Sequence, residues 1–434
     1  MVEERLSDVS TPIRSAGSTA GTPAAPALGG ALPGDGVGNE GRTLAEFFRA
    51  AWPVLDFATR LRLTRELAAF LRDAHDRGRR HRRLCAATIT VAATATAWRF
   101  AFVAGPSSRL LSGALGEAGR ADELAGLYAG LLPQCGRAEA VRFLDTYLSS
   151  TDRSEVRRWL SAVQRLALKK AFARWRLQGR LALGSNREFV REARSGFKIF
   201  RRRDSAAEEA LAALLPDPDR VLAQGEVMPG RGNSCVAARV RIAGRQYILK
   251  RYNCRGWAYR LRHVFRRSRA LRTWLAAQAF RLLGVPLPEP CLCLEERRWR
   301  LLERSYILTE YFEGASRLSD LYPLQSSVRR RALLARLGIV FGRLHRFLGI
   351  HGDSNWDNIL VRPEGDDFAV ALVDLDGSRI LLWRRPDRLA KDIWHFVRDM
   401  KRRGGDRQPE IDFFLRCWSR WSGWKGRFRF KEDK

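Results

Sequence analysis

Two stretches of this 434-residue chain match at a fixed offset of 270 positions, and only the second keeps its acids. The downstream stretch reads His351-Gly352-Asp353-Ser354-Asn355-Trp356-Asp357-Asn358-Ile359-Leu360-Val361, followed by Leu372-Val373-Asp374-Leu375-Asp376-Gly377. Its upstream counterpart is His81-Arg82-Arg83-Leu84-Cys85-Ala86-Ala87-Thr88-Ile89-Thr90-Val91, followed by Phe102-Val103-Ala104-Gly105-Pro106. Without a gap, the same offset sets Pro53 on Pro323, His75 on His345, Arg109 on Arg379, Asp122 on Asp392 and Phe143 on Phe413, with Trp52 on Tyr322. A register held through helical, loop and strand patterns marks a tandem repeat. Asp353 becomes Arg83 in the first copy, Asn358 becomes Thr88, Asp374 becomes Ala104 and Asp376 becomes Pro106. The first copy is therefore expected to have lost the chemistry of the second.

The rest of the chain divides around these copies. Residues 1–41 are rich in Ala, Gly, Pro, Ser and Thr and hold too few large apolar side chains to offset the entropy of ordering, so they are expected to form a disordered tail. A helical pattern begins at Leu44, with Leu61, Leu67, Phe70 and Leu71 on its buried side and a stop at Gly78. The degenerate copy is assigned to 42–160 and a basic connecting region to 161–215. Between Arg153 and Arg203, cations alternate with aromatics, as in Arg174-Trp175-Arg176. That pattern suits either a solvated helix pair or a surface docked on phosphate-rich membrane or glycan.

A β-rich small lobe with its connection is expected over 216–314, and a helical large lobe over 315–434. In the former, Val221–Ala223, Val236–Ile242 and Gln246–Leu249 read as successive strands. A basic helical stretch, Arg255–Leu283, then ends at Gly284 and Pro286, and Tyr306–Thr309 reads as a buried strand. The most apolar stretch, Leu84–Trp98, stops short of the roughly 20 residues a membrane-spanning helix needs. Its β-branched residues suit paired strands better.

Lys and Arg outnumber Asp and Glu by 78 to 47, a formal charge of +31, so an acidic partner is expected. The charge permits nucleic acid, but no recognition motif accompanies it, so an anionic membrane surface or a phosphorylated glycan ranks ahead. Seven cysteines without a C-x-x-C pair give neither a disulfide framework nor a zinc site. Met1–Arg5 begins no apolar leader, and a reducing cytoplasm is the expected compartment.

Phosphoryl transfer from ATP needs an aligner for the acceptor hydroxyl, hard ligands for Mg²⁺ and a cation on the phosphates. Asp353, in a loop after the helix that holds His345, suits the first role. Asn358 and Asp374, the latter at the end of the apolar strand Ala369–Val373, offer oxygens for Mg²⁺. Asp376 suits a further ligand or a turn. Lys250 closes the strand Tyr247–Leu249 and is expected to point at the α- and β-phosphates, while Gly230 and Gly232 lie where a phosphate-covering loop belongs. Glu310 and Phe312 are expected to meet the adenine edge through their backbone, and His351 to be a packed structural residue.

The H-G-D-x-x-x-x-N-I-L-V loop, the V-D-L-D-G strand end, Ile248-Leu249-Lys250-Arg251-Tyr252 and Gly284-Val285-Pro286-Leu287-Pro288 together resemble the lipopolysaccharide-core kinase family, Kdo/WaaP type, over about Val221 to Trp418. The resemblance implies an α+β fold: a protein-kinase-like bilobal domain, preceded here by the mostly helical degenerate large-lobe repeat and the tail. It further implies phosphorylation of a Kdo or heptose hydroxyl on the lipid A core at the cytoplasmic face of the inner membrane, with ATP and Mg²⁺. Lys250 would hold the ATP phosphate, Asp353 act as catalytic acid/base, and Asn358 and Asp374 hold metal. Gly352 stands where protein kinases have Arg, and Thr273 stands where a Glu partner for Lys250 is expected, with Gln278 the nearest polar substitute. A protein Ser/Thr kinase and a non-catalytic kinase-like module that binds membrane or a partner are the competing readings.

Overall fold

The protein is described by a computed structural model covering residues 42–424 apart from 53–54, 82, 95–96, 104–109, 114, 132–133, 229–233, 255, 257–263, 265, 300 and 403–406. The tail 1–41, Gly230, Gly232, Ala104 and Pro106 lie outside the described residues.

The small lobe is built on one antiparallel sheet of seven strands, in the spatial order Phe189–Arg194, Phe197–Arg202, Pro290–Arg298, Leu301–Glu310, Arg245–Tyr252, Cys235–Ile242 and Glu226–Val227. Arg245–Tyr252 is a central strand, and successive side chains point to opposite faces. Tyr247 and Leu249 pack with Leu211 and Leu214 of the helix Ser205–Leu214. The other face turns Lys250 and Tyr252 toward the helix Arg269–Leu282, where Tyr252 joins Leu271 and Trp274 in a second core.

Two expectations need correction here. Val221–Ala223 is not a strand; it lies in the helix Pro218–Gln224, because Asp217 caps the N–H groups of Asp219 and Arg220 and Pro218 presets the first turn. The connecting region is also not a helix pair. Arg153–Leu181 is a single 29-residue helix, and Phe189–Arg202 is a hairpin turning at Ser195-Gly196, both with positive φ. Its second strand pairs with Leu292–Glu296, so the small-lobe sheet starts well before residue 216.

The large lobe contains the helix Ser327–Arg346, the hairpin Ile359–Glu364 with Asp367–Leu372, and the helices Pro386–Lys401 and Gln408–Ser422. The N-terminal region runs through the same series: the helix Phe57–Asp76, the hairpin Ile89–Ala93 with Trp98–Phe102, and the helices Glu117–Leu131 and Arg137–Leu148. Helix Phe57–Asp76 and helix Ser327–Arg346 begin and end 270 residues apart, as do the short 3-10 turns Ala86–Thr88 and Trp356–Asn358. In each hairpin an outer strand joins from just before the first helical turn, Arg42–Thr43 on one and Ser316–Arg317 on the other.

The two regions share one continuous apolar core. Arg346 crosses between them, donating to the Cys135 carbonyl at 3.3 Å and to the Tyr128 hydroxyl. The long helix Arg153–Leu181 then links the first region to the small lobe, and Trp274 Nε1 donates to the Ala182 carbonyl at its end at 3.0 Å. The apolar stretch Leu84–Trp98 is taken up largely by the first hairpin, and no helix among the described residues is long and apolar enough to cross a membrane.

Candidate active site

A buried carboxylate sets the conformation of the loop that carries Asp353. Asp392 accepts from the backbone N–H groups of His351 and Gly352, both at 2.7 Å, and from His345 Nε2 at 3.1 Å. Trp418 donates its indole N–H to His345 Nδ1 at 2.9 Å, and because indole only donates, the His345 proton must sit on Nε2. Burial alone would raise the Asp392 pKa, but the hydrogen bonds it accepts from His345 and the His351 N–H bring it below the ordinary carboxylate value. His351 is structural as expected: fully buried, it contacts the Val373 carbonyl through Nε2 at 2.9 Å.

Gly352 explains why this loop departs from the protein-kinase pattern. Its φ is +89°, and a Cβ there would lie 2.6 Å from the Gly377 carbonyl oxygen. Only glycine lets the loop approach the Asp374–Gly377 turn so closely.

Asp353 projects from that loop, half-exposed. Asn355 Nδ2 donates to its Oδ1 at 2.9 Å, and Asn358 Nδ2 donates to its backbone carbonyl at 2.9 Å and its Oδ2 at 3.2 Å. His395 Nδ1 stands 3.7 Å from Oδ1. The His395 contact, acting against burial, holds the Asp353 carboxyl below its usual range, so it is ionised at neutral pH. His395 was not found from the sequence; its signal is the spacing of three from Asp392, which puts both on one helical face.

Since both Nδ2 hydrogens of Asn358 are used on Asp353, the amide oxygen is the group it can offer to a ligand. Val373 N–H donates to the Asn358 carbonyl at 3.0 Å, tying the loop to the strand that delivers Asp374. Asp374 has φ +58° and ψ +59°, a left-handed conformation uncommon outside glycine and found at functional sites. Lys250 Nζ reaches it across the lobes at 2.6 Å from Oδ1. Two pairs, Asp353 with Asn358 and Asp374 with Lys250, are thus joined through the backbone of Val373. A hard-oxygen pair, Asn358 Oδ1 with Asp374, suits Mg²⁺ that takes its other oxygens from phosphates and water.

The remaining candidate residues surround these pairs. The Glu310 N–H donates to the Glu289 carbonyl at 2.9 Å and its side chain pairs with Arg202 at 3.1 Å, so its carbonyl is what it can offer an adenine. Phe312 lies under the Arg362 guanidinium at 4.8 Å, next to the strand end. Neither Thr273 nor Gln278 meets Lys250: the Thr273 hydroxyl is 3.0 Å from Tyr252 Oη, and Gln278 Oε1 accepts from Arg281 at 3.0 Å. Asp376 is held by Arg269 and Arg272.

In the N-terminal region Thr88 Oγ1 bonds the Cys85 N–H and carbonyl at 3.0 and 2.9 Å, and Arg83 is exposed. The residue matching Asp392 there is not Asp122, which is exposed and pairs with Lys170 at 2.9 Å. It is Glu123, which accepts from the His81 N–H at 3.0 Å and lies 3.3 Å from His75 Nε2. Tyr147 meets His75 Nδ1 at 2.6 Å, as Trp418 meets His345.

Residues 223–408 match the model of the lipopolysaccharide kinase (Kdo/WaaP) family. No curated protein matches the chain. Among solved structures, WaaP in complex with acyl carrier protein is similar at 20% identity and a TM-score of 0.38, over 47% of this chain and 83% of that one.

Proposed function

We propose that this chain moves the γ-phosphoryl group of ATP to a Kdo or heptose hydroxyl of a membrane-borne lipopolysaccharide core, a reading supported by the match of residues 223–408 to the lipopolysaccharide kinase (Kdo/WaaP) family. The observation that carries the reading is the convergence of Asp353, bonded by Asn358, on the strand end where Val373 N–H meets the Asn358 carbonyl and the next residue, Asp374, pairs with Lys250.

Each residue's part follows from its surroundings. Asp353, ionised and fixed by Asn355 and Asn358, accepts a hydrogen bond from the acceptor hydroxyl and turns its oxygen toward the phosphate. Lys250 leaves Asp374 to meet the nucleotide phosphates, its cation offsetting their charge. Asn358 and Asp374 would hold Mg²⁺ together with the nucleotide, and the ion would supply further neutralisation of phosphate charge. Gly352 in place of an arginine, and the short path from Gly377 to the helix Pro386–Lys401, favour a small acceptor over a docked peptide.

A surface beside the site supports a lipid-borne acceptor. Leu382 and Trp383, each 62% exposed, sit between the Asp374–Gly377 turn and the helix Pro386–Lys401, next to Arg384, Arg385 and Arg388. Exposed apolar side chains among cations suit the boundary of an anionic bilayer, and the protein would then act as a peripheral protein on the cytoplasmic side.

Residues 42–160 are a degenerate large-lobe copy that binds no nucleotide. Arg83 replaces the carboxylate that would align an acceptor, and Thr88 is closed onto its own turn. Titration of the full-length protein with Mg·ADP is expected to give one site, abolished by Asp374→Ala; two sites would refute this part.

Radiolabel transfer from ATP to a panel of dephosphorylated core glycolipids, sugars and peptides tests the whole reading. Label should enter the glycolipid, and label confined to peptides would support the protein-kinase alternative instead.

A further inference from the structure

Kinase-type sites normally fix the phosphate-binding lysine with a glutamate from the small-lobe helix. In this protein that helix, Arg269–Leu282, has Thr273 bonded to Tyr252 instead. Its first turn carries two cations, and both reach across to the large lobe. Nε and Nη2 of Arg269 each lie 2.7 Å from Asp376 Oδ2, and Arg272 Nη2 lies 3.3 Å from Oδ1. Both carboxylate oxygens of Asp376 are therefore engaged by arginine.

Arg269 also touches two small-lobe elements that frame the site. Its Nη1 donates to the Ser234 carbonyl at 3.2 Å, just before the strand Cys235–Ile242, and its guanidinium stacks on the Tyr252 ring at 4.8 Å. Lys250 Nζ lies over the same ring at 5.3 Å and pairs with Asp374, two residues from Asp376. Lys250, Tyr252, Arg269, Asp376 and Asp374 thus close a circuit that spans both lobes.

We propose that the Arg269–Asp376 pair, supported by Arg272, is the tie that sets the small-lobe helix against the metal-binding turn, with its charges reversed relative to a strand lysine paired with a helix glutamate. Arg269 and Asp376 are positioning residues. Partial burial, with both side chains about 20% exposed, shields the pair from screening, and its contacts to one carboxylate from two cations make it directional. Among the described residues Lys250 meets no helix carboxylate and pairs with Asp374, the carboxylate with which arriving phosphates would compete. It also keeps Asp376 from adding uncompensated negative charge beside the nucleotide.

The inference rests on the kinase reading above, and its test separates the two. In full-length protein, Arg269→Ala, Arg269→Glu, Asp376→Arg and the swap Arg269→Glu with Asp376→Arg are compared for kcat, KM for ATP, melting temperature and amide exchange in the turn 375–378. Arg269→Ala should lower kcat on the order of tenfold and raise KM for ATP. Arg269→Glu should be worse, amide exchange in the turn should rise, and the swap should be several-fold more active than either of its single variants. Wild-type transfer with an unaffected Arg269→Ala variant would overturn the tie alone. So would a swap no better than its component variants, or losses that follow melting temperature only. Wild-type protein that transfers no phosphate would overturn the kinase reading and with it the catalytic role of the tie.

Discussion

Lys250 and Asp374, 124 residues apart, meet at 2.6 Å across the lobes, the lysine from a central strand and the aspartate from a left-handed turn. The strand fixes one end, since Lys250 is paired on one side with Ala237 and on the other with Ile307. On the proposed mechanism, replacing it removes a preorganised cation from the nucleotide phosphates without opening a core. Lys250→Met should lower kcat by roughly a hundredfold while thermal melting is unchanged; a variant within threefold of wild type would remove Lys250 from the mechanism.

Gly352→Ala confronts two penalties together, a positive φ and a Cβ 2.6 Å from the Gly377 oxygen. It should cost on the order of 2 kcal/mol of stability and lower activity by displacing the Asp374 turn. Gly365→Ala, also at positive φ but with open space around it, controls for backbone strain alone. Equal losses of activity in the two variants would contradict the packing argument.

Asp392 makes the site's stability depend on acid. Its folded pKa is depressed below the unfolded aspartate value, so its contribution is complete above about pH 4 and is lost as pH falls from there through the folded pKa. Asp392→Asn should cost about 3 kcal/mol at neutral pH and flatten the decline of melting temperature on the acid side. An unchanged acid limb in the variant would show that another group governs it.

The Leu382–Trp383 surface should hold the protein on anionic vesicles in a salt-sensitive way. Leu382→Ser with Trp383→Ser should weaken co-sedimentation with phosphatidylglycerol vesicles and reduce transfer to glycolipid embedded in them. Transfer to a soluble sugar fragment should be unaffected. Undiminished vesicle binding would place the membrane contact elsewhere.

The placement of the candidate residues was partly legible because three of them lie in two short segments and the fourth ends a strand pattern. Asn358 bonds Asp353, Lys250 pairs with Asp374, and the Val373 N–H ties the two segments together. Other features had signals that went unread. Asp217-Pro218 is a helix start, and Ser195-Gly196 between two segments of alternating apolar and charged residues is a hairpin turn, so the helix at Val221 and the early start of the sheet were both readable. Glu123 in place of Asp122 escaped a strict offset because a one-residue slip along the helix is absorbed by a longer side chain. The Arg269–Asp376 contact joins residues 107 apart in different lobes, and nothing local in either segment announces it.

Mass spectrometry of a defined lipopolysaccharide-core glycolipid after incubation with ATP, Mg²⁺ and enzyme tests the central claim most directly. Wild-type protein is expected to add one phosphate to a core sugar, and Asp353→Ala to add none while still binding Mg·ADP. Equal phosphorylation by Asp353→Ala, or an unmodified glycolipid with active wild-type enzyme and a different phosphorylated acceptor, would contradict it.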